Sequence, residues 1–387
     1  MPKKIRAGLI GAGFVGPLHV EAARRLGYVE FIAVASSTKE SASRKADRLT
    51  IDRAYAGYEE LLADDDVQVV HVCTPNYLHR PVVKAAIRAG KHVICDKPLA
   101  MTAAEAKELR DDAQSRGVVN AVTFNYRFNP LVQQARSTVA KGGIGTVRFV
   151  HGYYLQDHLL YETDFSWRLE PEKAGLSCAV GDIGSHWCDT AQFITGLRIV
   201  RVLASLSTTI AKRKKPGRSR EAFAAGGASE RVEDYDCTLD DLGSVLVEFE
   251  NGARGAFSVG QVCPGHKNDL RVEVNGEKGS IGWIQEDAHK VWIGHRGDAS
   301  GTLQLDPALL DESVRRYSNL PGGHNEAWAD AFKNMMRNIY EFVSADGVSD
   351  KAPVEFPTFE DGYRVNCIVD AIVKSSREGS GWTAVEY

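Results

Sequence analysis

The sequence predicts an α/β chain: an N-terminal doubly wound parallel sheet, then an α+β half built on an open, mainly antiparallel sheet. Three observations carry this. Short apolar runs alternate with amphipathic stretches over residues 1–127, the pattern of a parallel sheet with helices on both faces. The first run leads straight into "GAGFVG". After residue 128 the alternation gives way to closely spaced strand-like runs with Asn-Gly turn signals, which indicate hairpins. A chain of 387 residues is also too long for one ordinary domain and comfortable for two. The expected division is 1–127 and 128–387, with a C-terminal helix free to pack back on the first domain.

The elements follow in order. "IRAGLI" (5–10) reads as a buried strand, and "PLHVEAARRLG" as a helix with Pro17 near its start and Gly27 at its end. "EFIAVAS" (30–36) is a second strand and "KESASRKADRL" a helix. "VQVVHVCTP" (67–75) is apolar nearly throughout, as a strand covered on both faces should be. "HRPVVKAAIRAG" is a helix and "KHVICDKP" the next strand. "TAAEAKELRDDAQSRG" carries Thr102 with Glu105 three residues on, a capping box. "VVNAVTFNYR" (118–127) completes the first half as a fifth strand. Then come a helix near 130–141, strand-like pieces from "VRFVHGYYLQ" to "KVWIGH", and helices near 323–345 and 360–377. The segment 212–237 reads as a long solvated loop, or as an arm that reaches a neighbouring subunit or an anionic substrate; six of the ten residues from Ala211 to Arg220 are basic.

Bulk composition excludes several classes. Apolar residues make up 43% and charged ones 25%, the balance of a soluble globular chain. A formal charge of −4 advertises neither nucleic acid nor an anionic membrane. No run approaches the length of a membrane span, and the N-terminal apolar run is short and glycine-rich, a strand rather than a signal peptide. Seven cysteines show no CxxC spacing, so neither zinc nor a disulfide frame is indicated and a cytoplasmic location is expected. No ligand cluster for any metal stands out.

"GAGFVG" fits G-x-G-x-x-G at Gly11, Gly13 and Gly16. The pattern is weak alone. It is strong directly after a strand and at a helix start, and it points to a Rossmann dinucleotide site. Gly11 permits the tight turn, Gly13 lets the backbone approach a pyrophosphate, and Gly16 lets helix and strand pack closely. Phe14 and Val15 belong to the same cradle. At the end of the second strand an NAD site usually places an acid against the ribose. Here Ser36 and Ser37 stand there, with Thr38 and Lys39 following and Arg44 further on. NADP is therefore tolerated and NAD is not excluded.

Ligands of open α/β sheets bind at the carboxyl ends of the strands. "VCTPNYLH" brings Thr74, Pro75, Asn76 and His79 there, and "VICDKP" brings Asp96 and Lys97. Lys97 reads either as a surface-loop lysine or as an ammonium reserved for a ligand. Its peptide with Pro98 is expected to be cis. In "AVGDIGSHWCD", Asp182 and His186 stand four residues apart. Taken alone, this is a helix cap and a core histidine. Beside a dinucleotide fingerprint and Lys97, it is candidate catalytic machinery.

The motifs "GLIGAGFVG", "CTPNYLH", "CDKPLA" and "GDIGSHWCD", in this order, resemble the glucose–fructose oxidoreductase / inositol dehydrogenase family. "FNYRFNP", "YLQD" and "SWRLEP" look most like its levoglucosan dehydrogenase and glucoside 3-dehydrogenase branch. Two departures stand out. Asp96 replaces the usual glutamate before the lysine, and the acid expected at Ser36 for NAD is missing. The resemblance implies an NAD- or NADP-dependent oxidoreductase acting on a secondary alcohol of a sugar, glycoside or cyclitol. It implies that Lys97 bonds the nicotinamide ribose and the reacting hydroxyl, that His186 is the general base, and that Asp182 holds a sugar hydroxyl and orients His186. From the same branch come Tyr126 and Arg127 at the end of the fifth strand, Gln156 and Asp157 on the first strand of the second domain, and Trp167 and Arg168 along the nicotinamide side. Tyr126 and Trp167 read equally well as core aromatics. His324, in "PGGHNEAW", reads as a substrate-closing residue or a capped turn. The resemblance further implies a homodimer or homotetramer. Two rivals differ in kind: an NAD-dependent glycosidase that oxidises only transiently, and a non-catalytic dinucleotide-binding sensor or repressor.

Overall fold

A computed structural model describes residues 4–217, 232–345 and 354–387. They form two compact units, the first from Met1–Thr123 with Phe332–Asn366, the second from Phe124–Ala331 with Cys367–Tyr387.

The first unit is a six-stranded parallel sheet: β1 (Ile5–Ile10), β2 (Val29–Ala35), β3 (Arg53–Tyr55), β4 (Val69–Val72), β5 (His92–Cys95) and β6 (Asn120–Val122). The strand order is β3-β2-β1-β4-β5-β6, the doubly wound arrangement whose switch point lies between β1 and β4. Its helices are α1 (Val15–Arg24), α2 (Lys39–Leu49), α3 (Tyr58–Leu62), α4 (His79–Arg88) and α5 (Ala103–Arg116). The capping box is present: Thr102 Oγ1 accepts from Glu105 N–H and Glu105 reaches back to Met101 N–H. The edge strand β3 was not expected. Its three residues are only part-buried and lack the apolar run that marks a covered strand. β6 ends at Val122, so Tyr126 and Arg127 do not end a strand; they lie on a single 3-10 turn, Asn125–Phe128.

The core of this unit holds a polar chain. His19 of α1 and His71 of β4 are fully buried and meet Nδ1 to Nδ1 at 2.9 Å. His71 Nε2 lies 2.7 Å from the Tyr340 hydroxyl. Burial pushes the His19 imidazole down to about 4 and holds His71 well below its ordinary value, so both are neutral at pH 7.

The second unit begins with α6 (Pro130–Ala140) and β7 (Val147–Leu155), then α7 (Pro171–Ala174), a π-helical turn Val180–Gly184, and α8 (Ser185–Thr195). β8 (Ile199–Ser207), β9 (Lys212–Pro216), β10 (Val232–Asp236), β11 (Leu242–Phe249), β12 (Arg254–Gly260), β13 (Asp269–Gly276), β14 (Ser280–Ile284), β15 (Lys290–Gly294) and β16 (Gly301–Gln304) follow, and β17 (Thr383–Ala384) closes the chain. Nine strands make one sheet, ordered β16-β15-β14-β13-β7-β12-β11-β8-β17. Only the β12–β7 pair is parallel among the described ladders of this sheet. Helix α8 lies on it through Trp187, whose ring stacks on Phe257 at 4.3 Å and whose indole N–H donates to the Arg271 carbonyl. The helices α9 (Trp328–Ser344) and α10 (Phe359–Arg377) contain the unit divisions.

Three further expectations are corrected. The turn in "VNGEKG" falls at Glu277 and Lys278, because Asn275 and Gly276 are still paired in β13. Gln156 and Asp157 lie just past β7, not on it. The basic segment is not all loop: β9 and β10 pair antiparallel. Arg213 is 1% exposed, donating to the carbonyls of Leu159, Tyr161 and Asp164 and pairing with Asp241. Residues 218–231, the middle of the expected loop, lie outside the described residues.

Candidate functional site

The first unit carries the dinucleotide half-site. Gly11 has φ +87°, and a Cβ there would stand 2.7 Å from the Cys73 carbonyl oxygen. Only glycine permits this turn. A Cβ on Gly16 would meet the Gly11 oxygen at 2.5 Å, whereas Gly13 faces open space. Helix α1 begins at Val15 after an N-cap, Phe14, that makes no side-chain cap, and a helix start is the usual seat of an anion. Thr74 Oγ1, past the end of β4, is buried without a hydrogen-bond partner. A glycine cradle, a helix start and an orphaned hydroxyl fit a nicotinamide dinucleotide.

Around this cradle, Asp96 accepts from the Thr123 hydroxyl at 2.6 Å and Lys97 precedes Pro98 through a cis peptide. His79 lies one layer back. It is fully buried, with ring nitrogens 2.7 Å from the Pro98 carbonyl and 2.8 Å from the Thr74 carbonyl. It therefore ties the loop after β4 to the loop after β5. Pro75 and Asn76 lead into the short 3-10 turn that precedes α4. Ser36 follows β2, with Ser37 exposed beside it. Of the nearby cations, Lys39 donates to the Ala54 carbonyl and Arg44 pairs with Glu40. Lys45, which the sequence reading passed over, donates to Ser36 Oγ at 3.1 Å.

The second unit carries a cluster of its own. The helix-cap alternative for Asp182 does not hold, because other groups cap this helix. Asp240 accepts from the N–H groups of Cys178 and Val180 and from the Ser177 hydroxyl, and Ser177 accepts from Gly181 N–H. The π-helical turn then delivers Asp182 and His186 into α8 without a break. Such turns recur at functional sites. Asp182 Oδ1 pairs with Arg168 Nε at 3.0 Å, and Oδ2 accepts from Gln261 Nε2 at 3.0 Å. Gln261 is itself fixed, fully buried and accepting from the Cys178 thiol. Arg168, expected along the nicotinamide side, is thus the cation that pairs with Asp182, with Trp167 stacked on its guanidinium.

His186 is 8% exposed. Tyr126 stands edge-on to it at 4.9 Å, Phe124 at 5.8 Å and Tyr154 tilted at 6.1 Å. A hydrogen-bonded chain borders these rings. The Tyr126 and Tyr154 hydroxyls meet at 2.7 Å. Asn268 donates to Tyr126 at 3.0 Å, and its carbonyl accepts from Tyr154 and from Gln156 Nε2. Burial pushes both phenols up, so they remain neutral donors. Gln156 is buried with Oε1 unpartnered. His158 follows, pushed down to about 4 by burial. Tyr126, Gln156, Asp182, His186 and Arg168 thus belong to one neighbourhood.

Three expected residues are engaged by other groups. Arg127 clamps Asp189 through Nε at 2.8 Å and through a second nitrogen, fastening the 3-10 turn to α8. Asp157 pairs with Lys267. His324 is exposed, its ring against the Pro321 carbonyl, as the capped-turn alternative has it. Gln261 and Asn268, which sequence reasoning missed, had no local signal; Tyr154 stood unremarked inside "YLQD". Among the described residues no cluster could hold a metal ion, and no helix is long and apolar enough to cross a membrane.

Residues 5–124 match the oxidoreductase family with an NAD-binding Rossmann fold, GFO/IDH/MocA, and residues 132–282 match the GFO/IDH/MocA C-terminal domain. Levoglucosan dehydrogenase of Pseudarthrobacter phenanthrenivorans is 30% identical over 99% of this chain and 98% of its own. 1,5-Anhydro-D-fructose reductase of Ensifer adhaerens is 38% identical over 83% and 89%. Among solved structures, levoglucosan dehydrogenase in complex with NADH and levoglucosan superposes with a TM-score of 0.88 at 28% identity, covering 100% of both chains.

Proposed function

From a chain that belongs to the GFO/IDH/MocA family of NAD(P)-dependent sugar oxidoreductases, we propose an enzyme that oxidises a secondary alcohol of a sugar, glycoside or cyclitol, or reduces the matching ketone. The observation that carries this is the setting of His186, an imidazole walled by aromatic rings and bordered by neutral hydroxyl and amide groups. Apolar ring faces beside aligned polar groups are the chemistry that holds a polyol. Bound NAD or NADP supplies the hydride acceptor or donor, held by Gly11, Gly13, Gly16 and the loops after β4 and β5.

The protein's own work is the proton. A carbinol ionises far above neutral pH, so hydride leaves its carbon only as the hydroxyl proton is removed. His186 accepts that proton, and histidine titrates where such transfers are efficient. The Lys97 ammonium stabilises the developing alkoxide. Asp182, kept in one orientation by Arg168 and Gln261, accepts from a neighbouring substrate hydroxyl. Tyr126 and Gln156 supply further contacts. The exposed face of the nine-stranded sheet, with Phe149 40% and Leu246 45% exposed, packs against a second copy of the chain.

A panel of monosaccharides, glycosides and cyclitols, each offered with NAD and NADP, tests the reading through NAD(P)H formation. We expect NAD(P)H equal to the ketone formed, with at least one sugar-class substrate. NAD(P)H from simple acyclic alcohols alone, or aglycone release without NAD(P)H, overturns it.

A further inference from the structure

We propose that Arg213, Lys215 and Tyr235, on one face of the β9–β10 hairpin, are positioning residues for the substrate: they brace the segment 159–170 so that Arg168 holds Asp182 toward the sugar. The inference rests on the proposed function, in which Asp182 accepts from a substrate hydroxyl, and adds to it a role for the basic strand.

In an antiparallel pair, residues directly opposite share a face, and so do residues two apart on one strand. Arg213 stands opposite Tyr235, and Lys215 lies two residues on. Lys214, on the alternate face, pairs with Asp234. The first face grips the segment. The buried Arg213 guanidinium donates to the carbonyls of Leu159 at 2.8 Å, Tyr161 at 3.0 Å and Asp164 at 3.2 Å, and pairs with Asp241. Lys215 pairs with Glu170 at 2.7 Å, and the Tyr235 hydroxyl donates to the Leu169 carbonyl at 3.3 Å. Leu159 and Leu169 share a buried apolar cluster with Cys237, and Trp167 and Tyr235 pack against it. The segment contains no strand, and its one short helical turn is Trp167–Leu169. Its carbonyls therefore need donors from elsewhere, and a guanidinium serves several at once in a fixed geometry. The hairpin thus holds the chain on both sides of Arg168, which pairs with Asp182 at 3.0 Å. A misplacement of about 1 Å in a positioning group can slow an enzyme by about a hundredfold.

The test is steady-state kinetics of the full-length protein with a sugar that it oxidises. The variant is Lys215→Met with Tyr235→Phe, in which Glu170 keeps its pair with Lys173; thermal melting confirms that it folds. We expect KM for the sugar to rise by about fivefold or more, with kcat within about twofold and KM for the dinucleotide unchanged. Backbone hydrogen exchange over 159–170 should quicken. A merely structural role would lower kcat with the folded fraction and leave KM alone. In an Arg168→Met background the same pair of substitutions should add less than about twofold, because the brace acts through Arg168. Tyr235→Phe alone should raise KM by about twofold, and it carries the test should the pair not fold. An unchanged KM, a fall in kcat alone, or the full effect persisting beside Arg168→Met overturns the proposal. Failure of the unaltered protein to form NAD(P)H with any sugar overturns the proposed function and this proposal with it, and is seen before any variant is made.

Discussion

At the residue scale, Asp182 is the group whose surroundings say most. Its two oxygens are taken by Arg168 and Gln261, so it is held as an oriented carboxylate. Gln261→Leu removes the donor to Oδ2 while keeping bulk in a fully buried position. A hydrogen bond to a charged group is worth about 1.5–3 kcal/mol. We therefore expect kcat/KM to fall by about tenfold to a hundredfold. Gln261→Glu should do more, because a second carboxylate beside Asp182 raises the pKa of the pair; the acid limb of its pH–rate profile should move to higher pH. A profile unchanged in both variants would show that Gln261 does not act on Asp182. Lys97, Asp182 and His186 could be singled out in the sequence because each sits in a short motif with its neighbours. Gln261 was not. It reaches Asp182 across 79 residues, and no local pattern encodes that meeting. The same holds for Asn268, which joins Tyr126, Tyr154 and Gln156 only in three dimensions.

At the scale of elements, the cap of the π-helical turn is a tertiary contact. Asp240 accepts from two backbone N–H groups and from Ser177. Asp240→Ala leaves those donors buried and unpaired, and should cost about 2–4 kcal/mol of unfolding free energy, read by denaturant titration. A change below about 0.5 kcal/mol, the range of an ordinary surface site, would show that the cap is dispensable. The sheet's exposed face makes a second element-scale prediction. Leu246→Glu puts a charge on it and should convert the expected dimer or tetramer to monomer by light scattering, while a protein monomeric from the outset contradicts the assembly. Most strands were legible from apolar runs. The exceptions have physical causes. β3 is short and part-buried, so it has no apolar signature. The Asn-Gly of "VNGEKG" stays in the ladder because β13 and β14 pair through Asn275 and Ser280. β9 is a lysine-rich strand held in place by one buried arginine, and its charge pattern reads as loop.

At the scale of the whole molecule, the alternation of strand and helix foretold the first unit, and the change of rhythm foretold the second. The expected division left a C-terminal helix free to pack back on the first domain without saying which residues would do so; residues 332–366 group with the first unit. Tyr340 explains part of it, since its hydroxyl ends the His19–His71 chain inside that core. This chain gives a pH prediction. His19 has a folded pKa of about 4 against 6.5 unfolded. The unfolded state therefore binds the proton first, and stability is fully present above pH 6.5 and lost as pH falls toward 4. The loss from this one group amounts to about 3 kcal/mol at the lower end. Thermal melts across that window should fall steeply, and less steeply for His19→Phe. Equal slopes would show that His19 is not the group responsible.

The central claim, that His186 and Lys97 manage one proton during hydride transfer, has one direct measurement. It is single-turnover hydride transfer for the unaltered protein, His186→Asn and Lys97→Met, followed against pH with a sugar substrate carrying hydrogen or deuterium on the reacting carbon. The account predicts that each variant slows the isotope-sensitive step by about a hundredfold to ten-thousandfold, the usual weight of general acid–base catalysis. An isotope-sensitive step of undiminished rate in either variant would contradict it.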